Sequence, residues 1–212
     1  MEPFIRNDQY NFIKAQAKNI VNAYASVNDK AILHAVKSVA QEKAVGLFDD
    51  LAHMQAEVIS PISQIENRVT SDAYLAQLKP YVIPFHPISD RTIATLFPKV
   101  KKLKGPSLEK VNLQEISYLG WIDKGSSKKY MIVEYQDKLV GLQGTFSNLN
   151  QKGVCALCNR HEEIGMFVME VKRSGLDNYV KRGNYICQDS KKCNENITTL
   201  DRLHDFVELL TS

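Results

Sequence analysis

The chain has four cysteines, and their spacing constrains the fold more than any other feature. Cys155-Ala-Leu-Cys158 is a tight pair, Cys187-Gln-Asp-Ser-Lys-Lys-Cys193 is a looser one, and 28 residues separate them. A tetrahedral metal centre needs four ligands within bonding distance, and two short loops can each present a pair of sulfurs. In Cys-x-x-Cys both sulfurs sit on one tight turn, and Gly153 before it and Asn159 after it suit such a turn. The reading is one structural Zn2+ held by Cys155, Cys158, Cys187 and Cys193. A site closed by four thiolates leaves no open position for water, which argues for structure rather than metal catalysis. Two disulfides would need an oxidising compartment. A redox Cys-x-x-Cys would have to follow a strand and open a helix. Here Gly153 precedes the pair and the polar run Asn159 to Glu163 follows it.

Behind the second pair, Leu200, Leu203, Phe206, Val207 and Leu210 recur at the spacing of one helix face. Thr198 or Thr199 can cap this helix, with Asp201 in its first turn. A knuckle, a strand pair, and a second cysteine pair leading into a helix is the order of a treble-clef zinc finger.

With 44% hydrophobic and 24% charged residues, the chain has the composition of an ordinary soluble globular protein. Its formal net charge of +3 is too small to imply nucleic-acid binding. The charge is uneven: net −1 up to Tyr81 and +4 beyond it. The basic residues cluster as Lys99, Lys101, Lys102 and Lys104, then as Lys128-Lys129, Lys172-Arg173, Lys181-Arg182 and Lys191-Lys192. Such runs are usually solvated faces, but several on one half favour an acidic partner, either RNA or a protein that works beside RNA. No apolar run approaches a membrane span and Met1 to Arg6 has no signal-peptide core, so a cytoplasmic chain with no membrane partner is expected.

The first third reads as helices. Tyr10, Ile13, Ala17, Ile20, Val21 and Tyr24 follow a cap at Asn7. Asn28 or Asp29 caps a second helix carrying Ile32, Ala35, Val36, Val39 and Ala40. The pattern runs on to Val58, as one long helix or as two meeting near Gly46, and Pro61 ends it. A further helix from about Ser71 turns Tyr74, Leu75 and Leu78 inward. Pro80, Pro84 and Pro87 then mark a boundary. The expected organisation is α+β: an N-terminal helical bundle over residues 1–82, and a C-terminal mixed α/β domain over 83–212 that ends in a treble-clef-like four-cysteine zinc finger from about residue 152. In the second domain, 130–135 and 139–146 read as strands joined at Gln136-Asp-Lys138, and 166–171 and 179–186 as another pair. Trp121 reads as a core anchor whose N–H needs a partner if buried. Phosphate-loop, dinucleotide and hydrolase motifs are lacking, and His161-Glu162-Glu163 reads as a polar surface turn, so no enzyme and no small-molecule substrate are expected.

Particular segments carry a resemblance. Phe97-Pro-Lys-Val-Lys-Lys-Leu-Lys104, Glu115 to Trp121, Lys129-Tyr-Met-Ile-Val133, Lys152 to Cys158, and Tyr179 to Cys187 with Cys193-Asn resemble the elongation factor G-binding proteins, the family of the FusB-type fusidic acid resistance proteins. The resemblance implies a helical bundle followed by the zinc domain. It also implies binding of elongation factor G mainly through that domain. The bound factor is helped off the ribosome when fusidic acid has trapped it there, and the drug is left unmodified. The implied partner-binding residues are Tyr185, Phe206, Arg182 and Val154. Arg182 stands where the family has lysine and Val154 where the resistance proteins have phenylalanine. Phe206 also lies on the apolar stripe of its helix, which leaves core packing open for it, and Tyr185 beside Cys187 can be partly structural. The alternative function is an RNA-binding zinc module acting directly on the ribosome, with Tyr130, Tyr135 or Trp121 stacking bases if exposed.

Overall fold

The structure is a computed structural model and describes residues 1–100, 103, 105–123, 125–172 and 179–211. Two compact units divide the chain, Met1–Ile83 and Pro84–Ser212. No helix among the described residues is long and apolar enough to cross a membrane.

The first unit contains α1 (Asn7–Ser26), α2 (Lys30–Val45), α3 (His53–Ile59) and α4 (Arg68–Leu78). Ile13, Ala17 and Ile20 of α1, Ala40 and Ala44 of α2, and Tyr74 and Leu78 of α4 meet in one core. The Asp29 carboxylate starts α2 by accepting from the Ala31 N–H at 2.7 Å. The pattern read as one long helix or two is two: α2 stops at Val45, before Gly46, and Ile32 and Val39 stay half-exposed. Pro61 lies in a 3-10 turn, Ser60–Gln64, directly after α3. Asn67 accepts from the Thr70 N–H at 3.1 Å and starts α4 three residues earlier than periodicity suggests. The buried Tyr74 hydroxyl donates to the Ile59 carbonyl at 2.8 Å, and burial pushes its pKa up. Ile5 bridges Val82, and the Ile83 N–H donates to the Ile5 carbonyl at 2.8 Å, so both ends of the unit's chain are tied together.

The second unit opens with α5 (Asp90–Leu96), capped by the Ser89 hydroxyl accepting from the Thr92 N–H. Five antiparallel strands follow as a meander: β1 (Tyr118–Asp123), β2 (Lys128–Tyr135), β3 (Lys138–Val154), β4 (His161–Lys172) and β5 (Tyr179–Cys187). Two short helices close the unit, α6 (Ser190–Asn196) and α7 (Asp201–Thr211). Gln136 and Asp137 both have left-handed φ, 50° and 58°, which gives the β2–β3 hairpin a two-residue turn matched to strand twist.

Both faces of β2 are buried, so its sequence lacks the apolar–polar alternation of a half-exposed strand. Tyr130 and Ile132 face a core made with Phe97, Ile93, Leu119 and Trp121. Met131 and Val133 face a second core made with Phe167, Leu203, Phe206, Val207, Leu210 and all four cysteines. Trp121 lies within β1, stacked on Tyr130 at 5.3 Å between ring centroids and meeting the Phe97 edge. Its indole N–H is buried without a partner among the described residues, contrary to the expectation that burial would supply one. Burial of Tyr130 and Trp121 also removes two of the three rings read as base-stacking candidates. The third, Tyr135, packs edge-on against His204.

Candidate metal centre

Three segments deliver the four cysteines. β3 runs past an irregularity between Asn148 and Gln151 and ends at Val154, so Cys155 is the first residue beyond the strand. The Cys155 N–H donates to the Arg160 carbonyl at 3.0 Å and the Asn159 N–H to the Cys155 carbonyl at 2.9 Å. Asn159 takes a left-handed φ of 54° that turns the chain back into β4, as Asn tolerates. The cysteine pair therefore joins two antiparallel strands and opens no helix. Cys187 ends β5, and Cys193 lies within α6.

The five-residue gap in the second pair has a local cause. Asp189 caps α6, its carboxylate accepting from the Lys191 N–H at 2.8 Å and the Lys192 N–H at 3.3 Å. One bend and one helical turn therefore separate Cys187 from Cys193. The adjoining Gln188 is held by its N–H to the Glu163 carbonyl at 3.0 Å and by its side-chain amide to the Ile164 carbonyl at 3.2 Å.

All four cysteines are buried with free thiols, and their sulfurs lie within 4.8 Å of one another. Cys155 Sγ is 3.8 Å from Cys193 Sγ, and Cys158 Sγ is 3.7 Å from Cys187 Sγ. A tetrahedron with Zn–S bonds of about 2.3 Å has edges of about 3.8 Å, so the donor set fits zinc. Backbone N–H groups of Leu157 and Cys187 donate to Cys155 Sγ at 3.4 and 3.3 Å, stabilising it as a thiolate. The Cys155 pKa is pulled down because the thiols of Cys158, Cys187 and Cys193 donate to it. Cys187 and Cys193 are pushed up, first by Cys155. A central dication supplies the charge that lets all four ionise together.

Two residues that sequence patterning did not single out support this centre. Asn194, adjacent to Cys193 and buried, accepts from the N–H groups of Ser117 at 2.7 Å and Tyr118 at 3.1 Å. It donates to the carbonyls of Tyr118 and Ser190, both at 2.9 Å. One amide thus fastens α6 to the start of β1. Asn194→Leu leaves three backbone groups of Ser117 and Tyr118 without this partner, and we expect a loss of about 3 kcal/mol or more in chemical denaturation. A loss under about 1 kcal/mol would show that water replaces the amide. The second residue is Lys129, which its sequence neighbourhood grouped with the surface basic runs. Its side chain is fully buried, and its ammonium donates to the carbonyls of Cys187 at 2.8 Å and Gln188 at 3.0 Å. Burial pushes its pKa down to about 8, against an upward pull from Cys193, Cys187 and Cys155.

The partner-binding candidates do not form one patch. Val154 is 60% and Tyr185 46% exposed, and both flank the knuckle, where the Ala156 N–H donates to the Tyr185 carbonyl at 2.8 Å. Arg182 lies three residues from Tyr185 on β5 and so projects from the opposite face. Its guanidinium donates to the Leu209 carbonyl at 2.9 Å, near the C-terminus of α7. Phe206 is 3% exposed and packs on Phe167 with centroids 5.7 Å apart. Of the two readings left open for Phe206, the structure shows the packing one: it faces the core because it shares the apolar stripe of Leu203, Val207 and Leu210. Of the basic runs, Lys101, Lys102, Lys104 and Arg173 lie outside the described residues, as does the Lys172 side chain. Lys181 and Lys192 pair with Glu170 and Glu195, each at 3.7 Å, in exposed positions. His161, Glu162 and Glu163 begin β4 instead of forming a turn, and Glu162 accepts from the Asn196 amide at 3.0 Å.

Residues 4–86 match the model of the elongation factor G-binding protein N-terminal domain. Residues 96–208 match that of the FBP C-terminal treble-clef zinc-finger. The solved structure of the fusidic acid resistance protein FusC superposes with a TM-score of 0.85, at 28% identity, over 98% of this chain and 97% of that one. A comparison with curated proteins returned no match. A helical first unit, a zinc-finger second unit and both matches in the same chain order lead to one conclusion: the chain belongs to the elongation factor G-binding protein family.

Proposed function

We propose that this chain binds translation elongation factor G through its zinc domain and promotes release of the factor from the ribosome, relieving complexes stalled by fusidic acid. The observation that carries this reading is the pair of family matches, which between them span both units of the chain. The family is one of binders, and the chain is not an enzyme. One structural zinc on Cys155, Cys158, Cys187 and Cys193 shapes the knuckle from which Tyr185 and Val154 project. Tyr185 is the anchor, since an exposed tyrosine on a rigid frame is the residue type that dominates interfaces. Val154 extends the apolar contact. Arg182 acts at the edge beside α7, and Phe206 supports the surface from beneath. The ribosome is engaged through the factor, in the cytoplasm, with the two units as separate domains. A binder removes a bound factor only by favouring a state with weaker ribosome contacts.

Calorimetric titration of zinc-loaded chain with elongation factor G tests the reading. The expected result is a saturable complex that also shortens the lifetime of factor on fusidic acid-stalled ribosomes. Absence of a complex would remove the proposal. Binding with an unchanged lifetime would retain the partner and remove the release step. The RNA-binding alternative is not carried forward, because Trp121 and Tyr130 are buried and Tyr135 is packed against His204.

A further inference from the structure

Lys129 stands in the row Lys129, Met131, Val133 on one face of β2, where the neighbouring positions are core residues. An ammonium at such a position has lost its water and needs compensation, because burying an unpaired charge is severely unfavourable. Carbonyl dipoles supply part of it. Both acceptors belong to the chain at the second cysteine pair: the carbonyls of Cys187 and of Gln188. The Phe146 ring supplies a little more, with its centroid 4.7 Å from Nζ. Among the described residues, no carboxylate lies within ion-pair distance of Nζ and none of this unit's carboxylates is buried. Asp189 contributes only from an exposed helix cap.

The complementary imbalance lies beside it. Zinc with four thiolates carries a net charge of −2, enclosed by Leu157, Ile164, Ile186, Ile197 and other apolar side chains. A buried dianion and a buried ammonium sharing one core stabilise each other, and the lysine is tied directly to the backbone of one ligand. We propose that Lys129 is the buried counter-charge and positioning residue of the four-cysteine zinc centre, lowering its net charge to −1 while it fixes the Cys187–Gln188 segment. The inference rests on the zinc reading above.

The test uses the full zinc-loaded chain and two neutral variants. Lys129→Met keeps the apolar stem. Lys129→Gln keeps a hydrogen-bond donor toward the carbonyls without the charge. Zinc affinity is read by competition with a chromogenic chelator, and the cobalt-exchanged chains are read by their sulfur-to-cobalt charge-transfer band. Both neutral variants are expected to lose about 10- to 100-fold in zinc affinity, the usual range for a group outside the ligand shell. Both should also shift the band relative to the unaltered chain. Unaltered affinity and band in either variant would overturn the proposal, as would full rescue by Gln, which would leave only the hydrogen bond. If Lys129→Met does not fold, Lys129→Gln decides by the same two readouts. Failure of the unaltered chain to bind zinc would overturn the zinc reading itself. A bound, thiolate-type metal with no response to Lys129 would overturn this inference alone.

Discussion

Cys193→Ser is expected to release the metal and unfold the knuckle with α6 and α7. Three separate segments converge on the four sulfurs: the β3–β4 turn, the end of β5, and α6. The cysteines are also members of the same core as Leu203, Phe206, Val207 and Leu210, so the centre and the packing of α7 stand or fall together. Structural zinc contributes roughly 10–16 kcal/mol of apparent free energy in zinc-finger peptides, about the whole net stability of a domain. A serine at position 193 leaves three thiolates and a hydroxyl that is a poor zinc ligand at neutral pH. The expected signature is a loss of helical and sheet signal in circular dichroism, with metal analysis falling from about one zinc per chain toward zero. Trp121 is the chain's one tryptophan, and it packs in the other core with Phe97 and Tyr130. Its emission should therefore move less than the dichroism. Zinc removal by a chelator should reproduce the same pattern. Retention of stoichiometric zinc by Cys193→Ser, or an unchanged melting curve, would refute the role assigned to this sulfur.

The second large effect separates Tyr185 from Phe206, which the family resemblance placed together. Tyr185→Ala should reduce binding of elongation factor G by about 2 kcal/mol, a loss of roughly 30-fold, as truncation of an interface anchor does. Its melting temperature should hardly change, since a half-exposed residue makes little of the core. Phe206→Ala should behave in the opposite way. Removing a buried phenylalanine from contact with Phe167 should lower stability by about 3–5 kcal/mol, and binding should fall only as the folded population falls. Lost binding by Phe206→Ala with an intact melting curve would restore a direct contact role to that ring. Tyr185→Ala with full affinity would move the proposed interface away from the knuckle.

Much of this architecture is legible in the chain itself. The cysteine spacing, the stripe of α7 and the helical period of the first third are local patterns, written within a few turns or one loop. The hairpin turn read at Gln136-Asp-Lys138 is legible for the same reason, whereas one helix or two at Gly46 stays open until the structure divides them. What was not legible depends on distant partners. Lys129 reads as half of a surface basic pair because its acceptors are 58 and 59 residues away. Asn194 carries no mark of its role in the sequence because Tyr118, which it bonds, is 76 residues away. His161 to Glu163 looked like a turn because polar residues that begin a strand carry no mark of the strand opposite them.

Sequence alone thus determined which four cysteines come together, most of the elements and the family to which their motifs point. Those depend on residue type, short spacing and backbone preference, which act within a few residues. Tertiary structure alone decided which side chains face water. It sent Phe206 inward and left Tyr185 and Val154 outside, put Arg182 and Tyr185 on opposite faces, and enclosed an ammonium against the Cys187 and Gln188 carbonyls. The physical reason is that burial belongs to the packed whole. A strand's alternation defines two faces, but only the elements that cover them decide which face is core.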